Sequence, residues 1–185
     1  MFYPYTKEEV EKLEVPTKLS EKTILSTPIF KVVESQFSKD MKRVFIRHPG
    51  AVAILATTLE NKLVLIKQFR AAIGEWLWEI PAGTLEPDES PLSCAQRELE
   101  EETGFISSQW KYLFPIYLAP GYSSECIHLF RAEQAYPVQD PRAGDQDELI
   151  FRWEITREEV KEMLTKREIK DAKTMVAIQN WEEGK

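Results

Sequence analysis

Two apolar periods alternate along the chain, and each change of period marks a change of element. From Lys22 to Ile46, the clusters Thr23-Ile24-Leu25, Phe30-Lys31-Val32-Val33 and Val44-Phe45-Ile46 are separated by polar stretches such as Ser38-Lys39-Asp40, and predict two or three antiparallel strands. A sheet that small cannot enclose a core and must pack on something. Residues 1 to about 18 precede it as a short acidic arm with partial helical character. His48-Pro49-Gly50 marks a boundary, after which Ala51 to Leu59 and Leu63 to Phe69 read as two strands joined by the polar turn Glu60-Asn61-Lys62. Further strands are predicted at Trp110 to Leu118, Cys126 to Ala132 and Glu148 to Ile155, with Gln134 to Asp147 a polar, Pro-containing connection.

Between them the period becomes helical. Ser90 followed by Pro91 opens a helix, since a serine hydroxyl accepts from the first unbonded N–H groups and proline fits the first helical position. The helix runs to about Thr103 and closes at Gly104, with Leu92, Ala95 and Leu99 as its apolar stripe. Thr156-Arg157-Glu158-Glu159 is a capping box for a second helix to about Lys166, and Asp171 caps a third running through Met175, Ile178 and Trp181. Alternating strands and helices give an α/β domain, preceded by a small N-terminal antiparallel sheet.

Charge makes the first of these helices unusual. Glu100, Glu101 and Glu102 sit in its last turn, where carboxylates meet the negative end of the helix dipole, and Glu98 and Glu102 repel one another at i,i+4. A run of glutamates is ordinarily a solvated face. Here Glu98, Glu101 and Glu102 gather beside the apolar stripe, so a cation is expected among them. Three convergent carboxylates suit a hard divalent ion with oxygen ligands, Mg2+ or Mn2+.

The full stretch from Gly83 to Phe105, GTLEPDESPLSCAQRELEEETGF, resembles the Nudix box, G-x5-E-x7-R-E-U-x-E-E-x-G-U with U apolar. Gly83, Glu89, Arg97, Glu98, Leu99, Glu101, Glu102, Gly104 and Phe105 occupy its defined positions without a departure. The resemblance implies a Nudix-like α/β/α sandwich around a mixed sheet over 48–185, with 1–47 as an N-terminal dimerisation region, and a metal-dependent pyrophosphatase acting on a nucleoside diphosphate linked to another moiety.

Other segments resemble the ADP-ribose pyrophosphatase branch of that family. Gln68-Phe69-Arg70 and Glu79-Ile80-Pro81-Ala82-Gly83 are similar to its Q-[YF]-R and E-x-P-A-G elements. By that likeness Arg70 contacts substrate, Glu79 is an acid beside the same pocket, and the Ala82 carbonyl joins Glu98, Glu101 and Glu102 as a metal ligand. Pro120 lies sixteen residues beyond Gly104, a spacing associated with ADP-ribose specificity, within Pro120-Gly121-Tyr122-Ser123-Ser124-Glu125. Asp145-Gln146-Asp147-Glu148 resembles the loop that supplies the general base. Gln146 departs from the D-E-x-E version, and an amide cannot take a proton from water, so Glu148 is the expected base, with Asp147 and Asp145 behind it. Arg97 is expected to pair with Glu89 or a box carboxylate. The implied reaction converts ADP-ribose to AMP and ribose 5-phosphate. Another nucleoside diphosphate derivative, such as a nucleotide sugar, FAD or NADH, shares the box. A catalytically silent Nudix-fold binding module would show substitutions among the box carboxylates, and none is present.

Composition narrows the partners. A net charge of -7 argues against a broad basic face for nucleic acid. No apolar run approaches the ~18 residues of a membrane span, and no secretory pattern opens the chain, so a cytoplasmic location is expected. The two cysteines, Cys94 and Cys126, form no metal or disulfide motif and read as buried thiols in a reducing compartment. In the resembling family the N-terminal sheet packs across a homodimer, so a homodimer is expected here too.

Overall fold

The computed structural model describes residues 6–144 and 149–182, which fall into two compact units, Met1–Arg47 and His48–Lys185. The first unit opens with a short helix, α1 (Lys7–Glu11), whose Thr6 and Glu9 form a capping box. Three antiparallel strands follow in spatial order β1 (Ser20–Ser26), β2 (Lys31–Ser38) and β3 (Met41–Arg47). Glu21 on β1 accepts from the Ser35 hydroxyl and from Arg47, and these bonds, Ser35 first, hold its carboxyl down at about 2. Val33 and Ser35 are the only buried residues of the described part of this unit, while Ile24, Leu25, Ile29 and Val44 are all more than half exposed.

The second unit is built on β4 (Ala51–Thr58), in which all eight residues are buried. A turn with Asn61 at φ 57° leads to β5 (Leu63–Arg70), followed by β6 (Glu75–Glu79) and β7 (Ala82–Thr84). Then come helix α2 (Pro91–Thr103), strands β8 (Phe105–Ile106), β9 (Gln109–Ile116), β10 (Ile127–Pro137) and β11 (Ile150–Ile155), and helices α3 (Arg157–Thr165) and α4 (Ala172–Glu182). The sheet runs β11-β5-β4-β10-β8, with β6 on β5, β7 on β4 and β9 on β10. It is mixed, because β10 lies parallel to β4 while the other pairs are antiparallel.

Strand alternation divides the core into two layers. Ala51, Ala53 and Leu55 face Val160 and Met163 of α3 and Ala177, Ile178 and Trp181 of α4. Val52, Ile54 and Ala56 face Cys94, Ala95 and Leu99 of α2. The result is the expected α/β/α sandwich with a mixed sheet.

Several local expectations are corrected. The buried residues of α2 are Cys94, Ala95, Leu99 and Thr103; Leu92 shares their side of the helix but lies in its first turn and is 40% exposed. In α4 the buried residues are Lys173, Thr174, Ala177, Ile178 and Trp181, and Met175 points outward. Cys126 is only half-buried and precedes the strand, its carbonyl accepting from Ala51 N. At the other end β10 extends through Gln134 to Pro137, a segment expected to be loop. An irregularity between Ala132 and Ala135, with Gln134 at φ 53°, lets the strand continue and pair its last residues with β8. Among the described residues no helix is long and apolar enough to cross a membrane.

Candidate functional site

Arg97 is the hub of the acidic helix. Its Nε and Nη2 each donate to Glu89 at 2.9 Å, while Nη1 donates to Glu98 at 2.7 Å and to Glu101 at 3.0 Å. The bidentate pair with Glu89 holds the loop before α2 against the helix, as expected for this arginine. Arg97 is pinned in its charged form, its pKa raised chiefly by Glu89. In return, hydrogen bonding from Arg97 holds the Glu89 carboxyl at about 2. Cys94, beneath this pair, is pushed up to about 12 by burial and then by Glu89, which leaves it an unreactive thiol.

The strand opposite meets Glu102 and Glu98. The Ala82 amide donates to Glu102 Oε2 at 2.9 Å. At Gly83 the backbone passes so close to Glu98 that a Cβ would overlap its carboxylate, so only glycine permits this approach. β7 and α2 thus converge on a cleft of about 320 Å3 lined by Glu86, Arg97, Glu98, Glu101, Glu102, Ala143, Gly144 and Ile150. The donors are hard oxygens, the set that Mg2+ or Mn2+ prefers, and the excess of carboxylate over guanidinium fits a divalent cation. Among the described residues no three acidic, histidine or cysteine side chains are already gathered as ligands. Arg97 engages Glu98 and Glu101, and the Ala82 amide engages Glu102.

Sequence alone pointed to a cation as the partner of these acids, and the fold supplies others. The acids at the end of α2 are stabilised by arginines as well as by any metal. Besides Arg97, Arg142 pairs with Glu100 at 3.2 Å and its backbone N–H donates to the same carboxylate at 3.1 Å. Arg152 donates to the carbonyl of Thr103, at the negative end of the helix, and lies over the Phe105 ring. These arginines are distant in sequence, so the helix read alone looks less stable than it is.

Arg70 and Glu79 come together as a pair, and neither lines that cleft. Arg70 Nε and Nη2 donate to the two oxygens of Glu79, each at 2.8 Å. Burial by itself would raise the Glu79 carboxyl, but Arg70 and Lys173 outweigh it and hold the group below its ordinary value. Lys173 and Thr174, both buried in the first turn of α4, were not singled out as site residues from sequence. A lysine and a threonine at the start of an otherwise apolar helix face were the available signal. Pro120 begins the exposed turn between β9 and β10, closed by Tyr122 N and Ser123 N donating to Ala119 O, and does not line the acidic cleft. Glu148, Asp147 and Asp145 lie outside the described residues. Trp76 packs against Phe69 and Phe151, and Trp78 against Trp153. His128 is occupied with the Tyr112 hydroxyl at 3.3 Å.

An ADP-ribose pyrophosphatase of Bacillus subtilis (strain 168) is 42% identical over 170 residues, spanning 87% of this chain and 92% of that protein. A methanol dehydrogenase activator of Bacillus methanolicus is 39% identical over 168 residues, 86% of this chain and 91% of its own. The crystal structure of an ADP compounds hydrolase superimposes with a TM-score of 0.71 at 26% identity, covering 94% of this chain and 97% of that one. The NUDIX domain model matches residues 47–177, which contain the hub arginine, its acids and the sheet that presents them, so the chain is a hydrolase of the Nudix family.

Proposed function

We propose that the protein hydrolyses the diphosphate bond of ADP-ribose, with Mg2+ or Mn2+, to AMP and ribose 5-phosphate. The observation that carries the substrate is the 42% identity, along nearly the whole of both chains, to a protein named ADP-ribose pyrophosphatase. The cleft supports the chemistry. Glu98, Glu101 and Glu102, with the Ala82 carbonyl, would hold the cation. When bound, such an ion neutralises phosphate oxygens and lowers the pKa of water. Arg97 keeps Glu98 and Glu101 oriented and the preceding loop closed on the helix. Arg70, braced by Glu79, binds phosphate or ribose oxygens. Pro120 shapes the turn expected to favour ADP-ribose. Glu148 takes the proton of the attacking water as its oxygen bonds to phosphorus and the bridging P–O bond breaks. That last assignment rests on the resemblance of its loop.

The working unit is a homodimer. A three-stranded sheet that buries only Val33 and Ser35 while exposing Ile24, Leu25 and Val44 is unfinished as a fold, and a second copy is the simplest cover. Light scattering should give about twice the 21.5 kDa chain mass.

The test is to incubate the protein with Mg2+ and a panel of ADP-ribose, a nucleotide sugar, FAD and NADH, and to identify products by chromatography. AMP and ribose 5-phosphate should accumulate fastest, from ADP-ribose, and EDTA should stop the reaction. Faster turnover of another member of the panel would overturn the substrate.

A further inference from the structure

Glu79 is 1% exposed and faces two cations. Arg70 grips both its oxygens from one side, and Lys173 Nζ reaches Oε2 from helix α4. Lys173 is itself only 6% exposed and continues the chain to Asp171 at 3.1 Å. Asp171 Oδ2 accepts from the backbone N–H and the hydroxyl of Thr174 at 2.9 and 2.6 Å, and the same hydroxyl accepts from Ile80 N at 2.9 Å. The first turn of α4 therefore holds both the side chain of Glu79 and the backbone of the next residue.

Attachment of the helix has an apolar source besides these ions. Ala177, Ile178 and Trp181 already pack α4 on the sheet. Taking ions out of water is unfavourable, and buried ion pairs are often replaceable by apolar groups without loss of stability. Apolar groups cannot supply direction. A carboxylate engaged on two sides has its plane fixed, and the bidentate fork on Glu79 transfers that fixity to the Arg70 guanidinium. Sharing Glu79 between two cations also means that its single negative charge does not cancel that of Arg70 alone.

We infer that Lys173 is a positioning residue for substrate binding. Acting through Glu79, it sets the direction of the Arg70 guanidinium and preserves its pull on a diphosphate oxygen. This rests on the reading of Arg70 as a substrate residue and of ADP-ribose as substrate.

The test is a double-mutant cycle on the full chain with ADP-ribose and Mg2+. Lys173→Met should raise KM about tenfold with a smaller change in kcat, the size expected when a charge-assisted contact is lost mainly from binding. Lys173→Arg should restore most of that loss. In an Arg70→Ala background Lys173→Met should change KM less than about twofold, because the group it acts through is gone. A purely structural lysine would lower the melting temperature and scale KM by the same factor in both backgrounds. That result, or an unchanged KM in the single variant, would overturn the proposal. Should Lys173→Met fail to fold, Lys173→Gln, which keeps a donor and loses the charge, should show a smaller KM rise that vanishes with Arg70→Ala; equal factors would again overturn it. Wild-type turnover separates the two readings: an inactive wild type overturns the substrate, whereas an active wild type with equal factors overturns only the role of Lys173.

Discussion

Two ionic clusters flank the same short stretch, 79–83, and they are built to opposite rules. Around Arg97 one guanidinium serves Glu89, Glu98 and Glu101, and Glu102 turns instead to the Ala82 amide. Around Glu79 two cations and two carboxylates balance: Arg70 and Lys173 against Glu79 and Asp171. The first cluster is partly exposed to a cleft and carries surplus negative charge; the second is mostly buried and neutral. A surplus at a cleft can be relieved by a bound cation, whereas in the balanced cluster Glu79 and Lys173 are buried, Asp171 is nearly so, the three hold one another in place, and Arg70 alone keeps an exposed side. The contrast separates acids offered to a cation from a buried brace that aims one arginine.

The largest effect should come from the surplus side. Glu102→Gln retains an oxygen for the Ala82 amide and so keeps the fold, but it removes a charged ligand; turnover should fall by ~100-fold or more, with an unchanged melting curve. A near-normal rate would refute the metal assignment. Next, Arg97→Ala leaves Glu89, Glu98 and Glu101 without their common partner, and should destabilise the protein by about 3 kcal/mol in urea denaturation. If the stability is unchanged, Arg97 is not the hub.

Gly83→Ala is milder. The new methyl meets the far end of the Glu98 side chain rather than backbone, so the fold should survive while the rate falls ~10-fold through displacement of that carboxylate. Equal rates for the two proteins would show that Glu98 does not need its place against the strand.

The smallest effect is on acid stability. Glu89 has its carboxyl lowered from 4.5 to about 2 in the fold, so its contribution is complete above about 4.5, declines as pH falls toward about 2 and is absent below that. Replacing it by Gln should flatten the stability profile over that window by ~1 kcal/mol and leave it parallel to the wild type above pH 5. A profile that is equally steep in the variant would locate the acid sensitivity elsewhere.

Local chemistry was legible from the chain. Ser90, Pro91 and Gly104 bound α2 where their preferences predict, with Ser90 Oγ accepting from Ser93 N and Gly104 at φ 68°. Thr156 and Glu159 cap α3 by the same logic. Each of these features lies within about one helical turn, so neighbours in sequence are also neighbours in space. The Arg97–Glu89 and Arg97–Glu101 pairs are likewise within eight residues.

What the chain could not disclose were partners brought from afar. Arg152 reaches the end of α2 from 49 residues away, and Lys173 reaches Glu79 from 94. Nothing in the residues near Glu79 tells that its burial will be matched by two cations, and nothing near Glu102 tells that an arginine will close the helix it sits on. Sequence determined the elements, their caps and the acids offered to the cleft, because those depend on short-range geometry. Only the tertiary structure decided which charges face one another. Coulomb energy depends on separation in space and on removal from water, and both are set when the sheet brings β6, β7, α2 and α4 together.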